Sequence, residues 1–252
     1  METQTQAHKF PLSLEFDNVS TLPDSYEWST TTFPSDDPCH YTNNDRKALL
    51  PVIDIGEPGA YDLVRHACEK WGTFQFINHG VPLTVFRETE LYELVPATNG
   101  SDQTQCLFHL NSYSVCPNHN RAMGLAPHTD TSLIIVVNHS NISGLQVYQD
   151  GAGWVPVELV EGALVVNVGN LMQTLTNGKF KSVLHRVVVN SICHRLATSF
   201  FLMASSDAKI SPLRKLVNSS HPPLYRAVTG KEYFQLKYKF FNKALESIRL
   251  KK

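Results

Sequence analysis

The sequence lacks long apolar runs. Stretches such as Leu133–Val137 stop far short of the ~20 residues that cross a bilayer, so a membrane protein is not expected. It lacks an excess of either charge. Lys plus Arg is 22 and Asp plus Glu is 23, for a net charge of -1, which argues against a general nucleic-acid binder. Cysteine is scarce: Cys39, Cys68, Cys106, Cys116 and Cys193 are odd in number and unclustered. A disulfide framework is therefore not expected, and a reducing, cytoplasmic setting fits best. The first ten residues, Met1 to Phe10, carry no basic-then-apolar signal pattern. Walker, GxGxxG, GxSxG, HExxH and CxxC patterns are all missing, which removes weight from phosphate cradling, Rossmann chemistry and common zinc arrangements.

What is present is a core-forming composition, 42% hydrophobic and 18% charged, which excludes wholesale disorder. Residues 1–50 are rich in Ser, Thr, Asp and Pro, and read as a polar, partly disordered tail. Pro51–Ile55 reads as a short strand. Leu63, Val64, Ala67, Cys68 and Trp71 recur at helical spacing over Ala60–Trp71, and Thr73–Ile77 alternates as a strand. Residues 83–104 have little pattern. From Gln105 onward, strands follow one another: Leu133–Val137, Leu145–Gln149, Trp154–Leu159, Leu164–Val168, Val183–Val189 and Leu196–Met203. Asp150-Gly151 reads as a hairpin turn. The class is mainly β with flanking helices, an antiparallel sandwich or barrel. Thr229 and Glu232 form a capping-box pattern for a final helix, with Tyr233, Phe234, Phe241, Ala244, Leu245 and Ile248 on one face.

The chemistry centres on His128-Thr129-Asp130. On a strand, residues i and i+2 point to one side, so an imidazole and a carboxylate reach one metal ion. Alone the pair is weak. His185 lies 55 residues after Asp130 in the apolar strand Val183–Val189 and completes a two-histidine, one-carboxylate set. Such a set leaves positions open and suits non-haem Fe(II), with zinc as the competing metal. Arg195 follows ten residues later. Asn190 to His194 read as the loop of a hairpin, which sets Arg195 deep in the same barrel. A buried guanidinium needs an anion. One candidate is a cosubstrate that chelates iron at one end and carries a carboxylate at the other, as 2-oxoglutarate does; another is a structural Asp or Glu. Tyr113 reads either as a cosubstrate contact or as a core tyrosine bonded to backbone. The remaining histidines read as structural or exposed, His79 as a packing residue.

Several blocks then resemble plant Fe(II)/2-oxoglutarate-dependent dioxygenases: Trp71-Gly-Thr-Phe-Gln-Phe-Ile-Asn-His-Gly-Val81, Leu110-Asn-Ser-Tyr-Ser-Val-Cys-Pro117, Arg121-Ala-Met-Gly-Leu-Ala-Pro-His-Thr-Asp-Thr-Ser-Leu133, Ser143-Gly-Leu-Gln-Val147, Val165-Val-Asn-Val-Gly169 and Asn177-Gly-Lys-Phe-Lys-Ser-Val-Leu-His-Arg-Val187. Asn120-Arg-Ala-Met-Gly124, Lys209-Ile-Ser-Pro-Leu213, His221-Pro-Pro-Leu-Tyr225 and Phe241-Asn-Lys-Ala-Leu245 resemble the gibberellin 3-beta-hydroxylases within that group. The resemblance implies a double-stranded β-helix, a jelly-roll core. It implies a truncated N-terminal region over 51–104 and a catalytic domain with its C-terminal helix over 105–252. His128, Asp130 and His185 are then the iron ligands and catalytic set. Arg195 pairs with the far carboxylate of 2-oxoglutarate, with Tyr113 and Asn111 as neighbouring cosubstrate contacts. O2 is consumed, 2-oxoglutarate leaves as succinate, and ascorbate serves as reductant. The substrate is a small molecule, a gibberellin first and a flavonoid or other plant metabolite second; nucleic-acid and membrane partners are not expected, and a protein partner is left open.

Three departures from the family stand out. Only 30 positions separate Val81 from Asn111, where the family places several helices, so the chain reads as internally deleted, with apolar sheet surface left uncovered. A catalytically impaired isoform is therefore the alternative to an active enzyme. The family's Arg-x-Ser reads Arg195-Leu196-Ala197, with Ser199 on the face of Arg195 but two residues further on. Asn170 and Ser114 replace the usual Asp and Pro, Asn170 being read as a surface or turn carboxamide.

Overall fold

The computed structural model describes residue 21 and residues 49–81, 105–139 and 142–250. The expected polar tail, apart from its last residues, and the weakly patterned stretch 83–104 lie outside the described residues. In chain order the elements are β1 (Val52–Asp54), α1 (Ala60–Lys70), β2 (Thr73–Ile77), β3 (Gln105–Tyr113), β4 (Met123–His128), β5 (Ile134–His139), β6 (Leu145–Gln149), β7 (Gly153–Pro156) and β8 (Leu164–Val168). There follow α2 (Asn170–Leu175), β9 (His185–Val188), β10 (Arg195–Met203), the two-residue strands β11 (Lys209–Ile210) and β12 (Val228–Thr229), α3 (Gly230–Phe240) and α4 (Ala244–Ser247).

Two sheets carry the fold. One has the order β1-β2-β8-β5-β10-β3, the other β4-β9-β6-β7. From β3 onward the chain steps between them, which is the winding of a jelly roll. Alternation explains the pairing of faces: Ile135, Val137 and Val165 of the larger sheet meet Leu145, Val147 and Val187 of the smaller one in a common core. The hairpin at Asp150-Gly151 is present. Gly151 at φ 82° and Gly153 at φ 73° turn the chain between β6 and β7, where Val147 faces Val155.

Two expectations are corrected. Asn190 to His194 do not close a hairpin. β9 pairs with β4 and β6, whereas β10 pairs with β3 and β5, so the segment crosses from one sheet to the other. The Asn190 side chain organises it, its Oδ1 accepting from the backbone N–H of Ile192 at 2.9 Å and of Cys193 at 2.8 Å. The final helix also breaks. Thr229 caps it as expected, accepting from the Glu232 N–H at 3.1 Å. Phe241, however, has φ 48°, which no right-handed helix continues. Tyr233, Ala244 and Ile248 are buried beside Leu171 and Tyr225, while Phe234 and Phe241 are exposed. The one-faced stripe thus becomes two short helices.

The outer face of the larger sheet is covered unevenly. α1 lays Ala67 and Cys68 on Ile53, Phe74, Val166 and Val168. Over β10 and β3 the outward side chains stay in solvent: Leu110 is 60% exposed, Leu196 44% and Phe200 36%. β3 is also an edge strand. A contiguous apolar patch beside an open edge favours self-association. The double variant Leu110→Thr, Phe200→Thr is expected to shift the protein from aggregate toward monomer in size-exclusion chromatography with light scattering. Equal aggregation in variant and parent would place the sticky surface elsewhere.

Candidate metal and cosubstrate site

His128 closes β4 and His185 opens β9, and the two are direct register partners. Their rings lie side by side, with centroids 4.2 Å apart. Asp130 is not on the strand, contrary to the spacing argument: β4 ends at His128 and Asp130 sits in the segment beyond. That segment is pinned from below. The Asp130 carbonyl accepts the Asn170 N–H at 2.8 Å and the Leu133 carbonyl accepts the Gly169 N–H at 3.0 Å. A Cβ at Gly169 would meet the Ser132 carbonyl oxygen at 2.0 Å, so only glycine permits this approach. Asn170 is buried, not a surface carboxamide, and its amide donates to Thr129 Oγ1 at 3.2 Å. From above, the Asn242 amide donates to the Pro127 carbonyl at 2.9 Å.

The result is three donor atoms within 4.8 Å of one another, one each from His128, Asp130 and His185. Both imidazoles turn Nδ1 toward a backbone carbonyl, His128 to Ala126 at 2.8 Å and His185 to Val183 at 3.3 Å. A carbonyl only accepts, so Nδ1 carries a proton, and in the neutral ring Nε2 presents a lone pair. Each Nε2 stands 3.6 Å from an Asp130 oxygen. Burial, reinforced by the neighbouring His185, lowers His128 to about 4, with Asp130 opposing. At neutral pH the imidazole is therefore in its metal-binding form. Donor atoms that converge in this way suit a cation between them. The set fits a single divalent ion.

The second half of the site lies in the same cavity, of about 370 Å³, bounded by both sheets and α3. Arg195 is only 2% exposed. Its Nε donates to the Ile142 carbonyl at 3.2 Å, its Cζ lies 5.1 Å from the centre of the Tyr113 ring, and Nη1 has no hydrogen-bond partner among the described residues. Among the described residues no carboxylate pairs with it. Tyr113 and Arg195 are register partners on β3 and β10, as are Asn111 and Ala197. Burial raises the Tyr113 hydroxyl, and the adjacent guanidinium, to which it is hydrogen-bonded, opposes that rise. The core-tyrosine reading with a backbone partner gives way to an Arg195 contact. Arg195, Ala197 and Ser199 share the inward face, and Asn111 donates weakly to Ser199 Oγ at 3.4 Å. A buried cation with an orphaned N–H fits an anion such as a carboxylate.

Comparison with known proteins agrees with this geometry. The profile of the 2OG-Fe(II) oxygenase superfamily matches residues 102–204. Gibberellin 3-beta-dioxygenase 1 of Pisum sativum is 31% identical, over 96% of this chain and 90% of its own. Gibberellin 3-beta-dioxygenase 1 of Arabidopsis thaliana is 32% identical, over 93% and 92%. The chain belongs to the 2OG-Fe(II) oxygenase superfamily.

As a 2OG-Fe(II) oxygenase it is an oxidoreductase that uses Fe(II) and 2-oxoglutarate, and its relatives act on small molecules. Its fold is the double-stranded β-helix. The crystal structure of JOX2 in complex with 2OG, Fe, and JA superposes at a TM-score of 0.71 with 22% identity, over 93% of this chain and 95% of that one. The rice dioxygenase for auxin oxidation superposes at 0.69 with 22% identity, over 80% and 100%. The internal deletion is visible in the alignments. That with the pea protein runs over 343 positions, whereas 96% of this chain is about 242 residues, so about 100 positions of the relative face nothing here. No helix among the described residues is long and apolar enough to cross a membrane. The four described cysteines are free.

Two residues at or near the site escaped sequence reasoning. Lys237 of α3 lines the cavity and donates to Thr129 Oγ1 at 3.1 Å. Burial lowers its ammonium to about 8, and Asp130 opposes the shift. A lysine four residues after the fully buried Tyr233 was the available signal. His139 of β5 is buried opposite Ala197, and is lowered to about 4 by burial and then by Arg195. Only the β5–β10 register reveals it. His79 is more than packing: its ring bonds the Gly162 carbonyl at 2.7 Å.

Proposed function

We propose that this chain hydroxylates a gibberellin at the 3-beta position, with His128, Asp130 and His185 holding Fe(II) and Arg195, Tyr113 and Asn111 holding 2-oxoglutarate. The observation that carries the reading is one cavity containing both a converging His-Asp-His donor set and a buried guanidinium that pairs with no carboxylate among the described residues. The gibberellin assignment is supported by the relatives' printed activity.

Bound Fe(II) and 2-oxoglutarate supply oxidative chemistry: one O2 is consumed, 2-oxoglutarate leaves as succinate and CO2, and one oxygen atom enters a substrate C–H bond. The chain contributes the setting. Asp130 neutralises part of the ion's charge, and the carbonyls of Ala126 and Val183 hold both imidazoles in one tautomer. Arg195 and the Tyr113 hydroxyl orient the far carboxylate, which aims the keto acid's other end at the triad. Leu125, Ile135, Val137, Leu145 and Val187 make part of the wall apolar. Ascorbate as reductant and a cytoplasmic setting belong to the same reading.

The test is anaerobic titration of purified protein with Fe(II) and then 2-oxoglutarate. A saturable visible charge-transfer band is expected, followed on admission of O2 and a gibberellin by succinate and hydroxylated product in equal amounts. Folded protein without the band defeats the proposal. Band and binding without hydroxylation favour the impaired-isoform reading, which the roughly 100 missing positions and Ala197 support; product from a flavonoid and none from a gibberellin redirects the substrate.

Ala197 makes a separate prediction. It is buried, lines the cavity and stands between Arg195 and Ser199 on the inward face. A hydroxyl here would donate to the same carboxylate. A hydrogen bond to a charged group contributes about 1.5–3 kcal/mol, or one to two powers of ten in affinity. Ala197→Ser is expected to tighten 2-oxoglutarate by that factor in the band titration. An unchanged midpoint would mean that Ser199 already fills the role.

A further inference from the structure

The cavity holds two cationic side chains, and the cosubstrate accounts for one. Arg195 sits at the start of β10. Lys237 projects from α3 and reaches Thr129, the residue between His128 and Asp130. Among the described residues Lys237 forms no ion pair; its contacts are Thr129 Oγ1 at 3.1 Å and the Phe241 ring, with Nζ 5.3 Å from the ring centre. An ammonium has three N–H donors, and one bond to a hydroxyl leaves two for a ligand. Beside the polar stretch Thr129–Ser132, the same cavity is lined by apolar side chains, with Phe234 on the same helix and Leu125, Phe201 and Met203 from the sheets. An apolar cavity with one fixed charge near the reacting centre selects an apolar molecule carrying the opposite charge.

We propose that Lys237 is a specificity-determining residue: it binds the carboxylate of the organic substrate at the edge of the metal triad and thereby restricts this enzyme to apolar carboxylic acids. This rests on the proposed function and extends it by naming the group on the protein that reads the substrate's charge. In a cavity with apolar walls, a charge-assisted contact is worth about 10- to 100-fold in affinity, whereas a neutral ester of the same skeleton keeps the apolar contacts and gains nothing from the ammonium.

The test compares a monocarboxylic gibberellin with its methyl ester, binding each anaerobically to the Fe(II)–2-oxoglutarate complex and reading the shift of the visible band. Wild-type protein is expected to prefer the acid by about 10-fold or more. Lys237→Met, close in length and apolar, is expected to weaken the acid by that factor and leave the ester in place, which erases the preference. Lys237→Arg, which keeps the charge, is expected to restore it. Equal loss of acid and ester in Lys237→Met, with no rescue by arginine, would assign Lys237 a purely structural tie to Thr129 and overturn the proposal. Wild-type protein that forms the chelate but binds acid and ester alike, or neither, overturns it as well while leaving the iron chemistry standing. Absence of the chelate itself defeats the proposed function and this inference together.

Discussion

Asp130→Ala is expected to abolish metal-dependent turnover without unfolding the apoprotein. The carboxylate is the one acidic ligand of the triad, and it stands 3.6 Å from the Nε2 of each imidazole. Its removal leaves two neutral ligands for a divalent ion. Partners one shell further out already change metal affinity by about 10- to 100-fold, so loss of a direct, charged ligand is expected to cost at least 100-fold. The stability effect has the opposite character. Without metal, the carboxylate oxygens stand 3.6 Å from the imidazole nitrogens, so the variant gives up no close hydrogen bond to them. The apoprotein melting temperature should hold or rise slightly, while the rise produced by Co(II) or anaerobic Fe(II) in wild type should vanish. Thermal melts with and without metal, alongside succinate release, check both halves. Full turnover in the variant would remove Asp130 from the ligand set.

Arg195→Met is expected to separate cosubstrate binding from metal binding. A guanidinium on a carboxylate makes two charge-assisted bonds, together about 3–6 kcal/mol, or two to four powers of ten. The band titration should show Fe(II) bound as in wild type and the 2-oxoglutarate midpoint raised by at least 100-fold. Folding should tolerate the change. Arg195 is buried with no carboxylate partner among the described residues, and replacing such a buried charge by an apolar side chain of comparable length is often neutral or stabilising. What the variant loses in the apoprotein is the bond to the Ile142 carbonyl and the contact with Tyr113. A midpoint within threefold of wild type would show that the far carboxylate binds elsewhere.

Much of the site was legible because its groups are expensive to bury without a purpose. His185 and Arg195 stand in otherwise apolar strands, and a polar side chain in such a strand calls for a partner. The two-residue alternation of β10 put Arg195, Ala197 and Ser199 on one face, as observed. The helical periodicity of residues 60–71 and the strand at 73–77 were equally plain. The errors share one physical origin: local spacing carries no information about which sheet a strand joins. The five residues between β9 and β10 have the length of a hairpin loop, yet the inner faces of both sheets must be filled, so the chain crosses between them. Asp130 obeyed the His-x-Asp spacing from a loop held by Asn170 and Gly169, not from a strand. Asn170 looked like a turn residue and is buried because Asp130 and Thr129 both use it.

By itself, the sequence determined the mainly β class and pointed to His185 and Arg195 through alternation and the cost of burying charge, and to His128 and Asp130 through their spacing and the motif blocks around them. Only the tertiary structure decided which strands face each other, which nitrogens are turned toward carbonyls, that the outer faces of β3 and β10 lie open, and that Lys237 stands beside the triad 108 residues from Thr129 in the chain. Those features depend on contacts between segments far apart in sequence, and such contacts are set by how two apolar faces close on one another, a condition that no single segment contains.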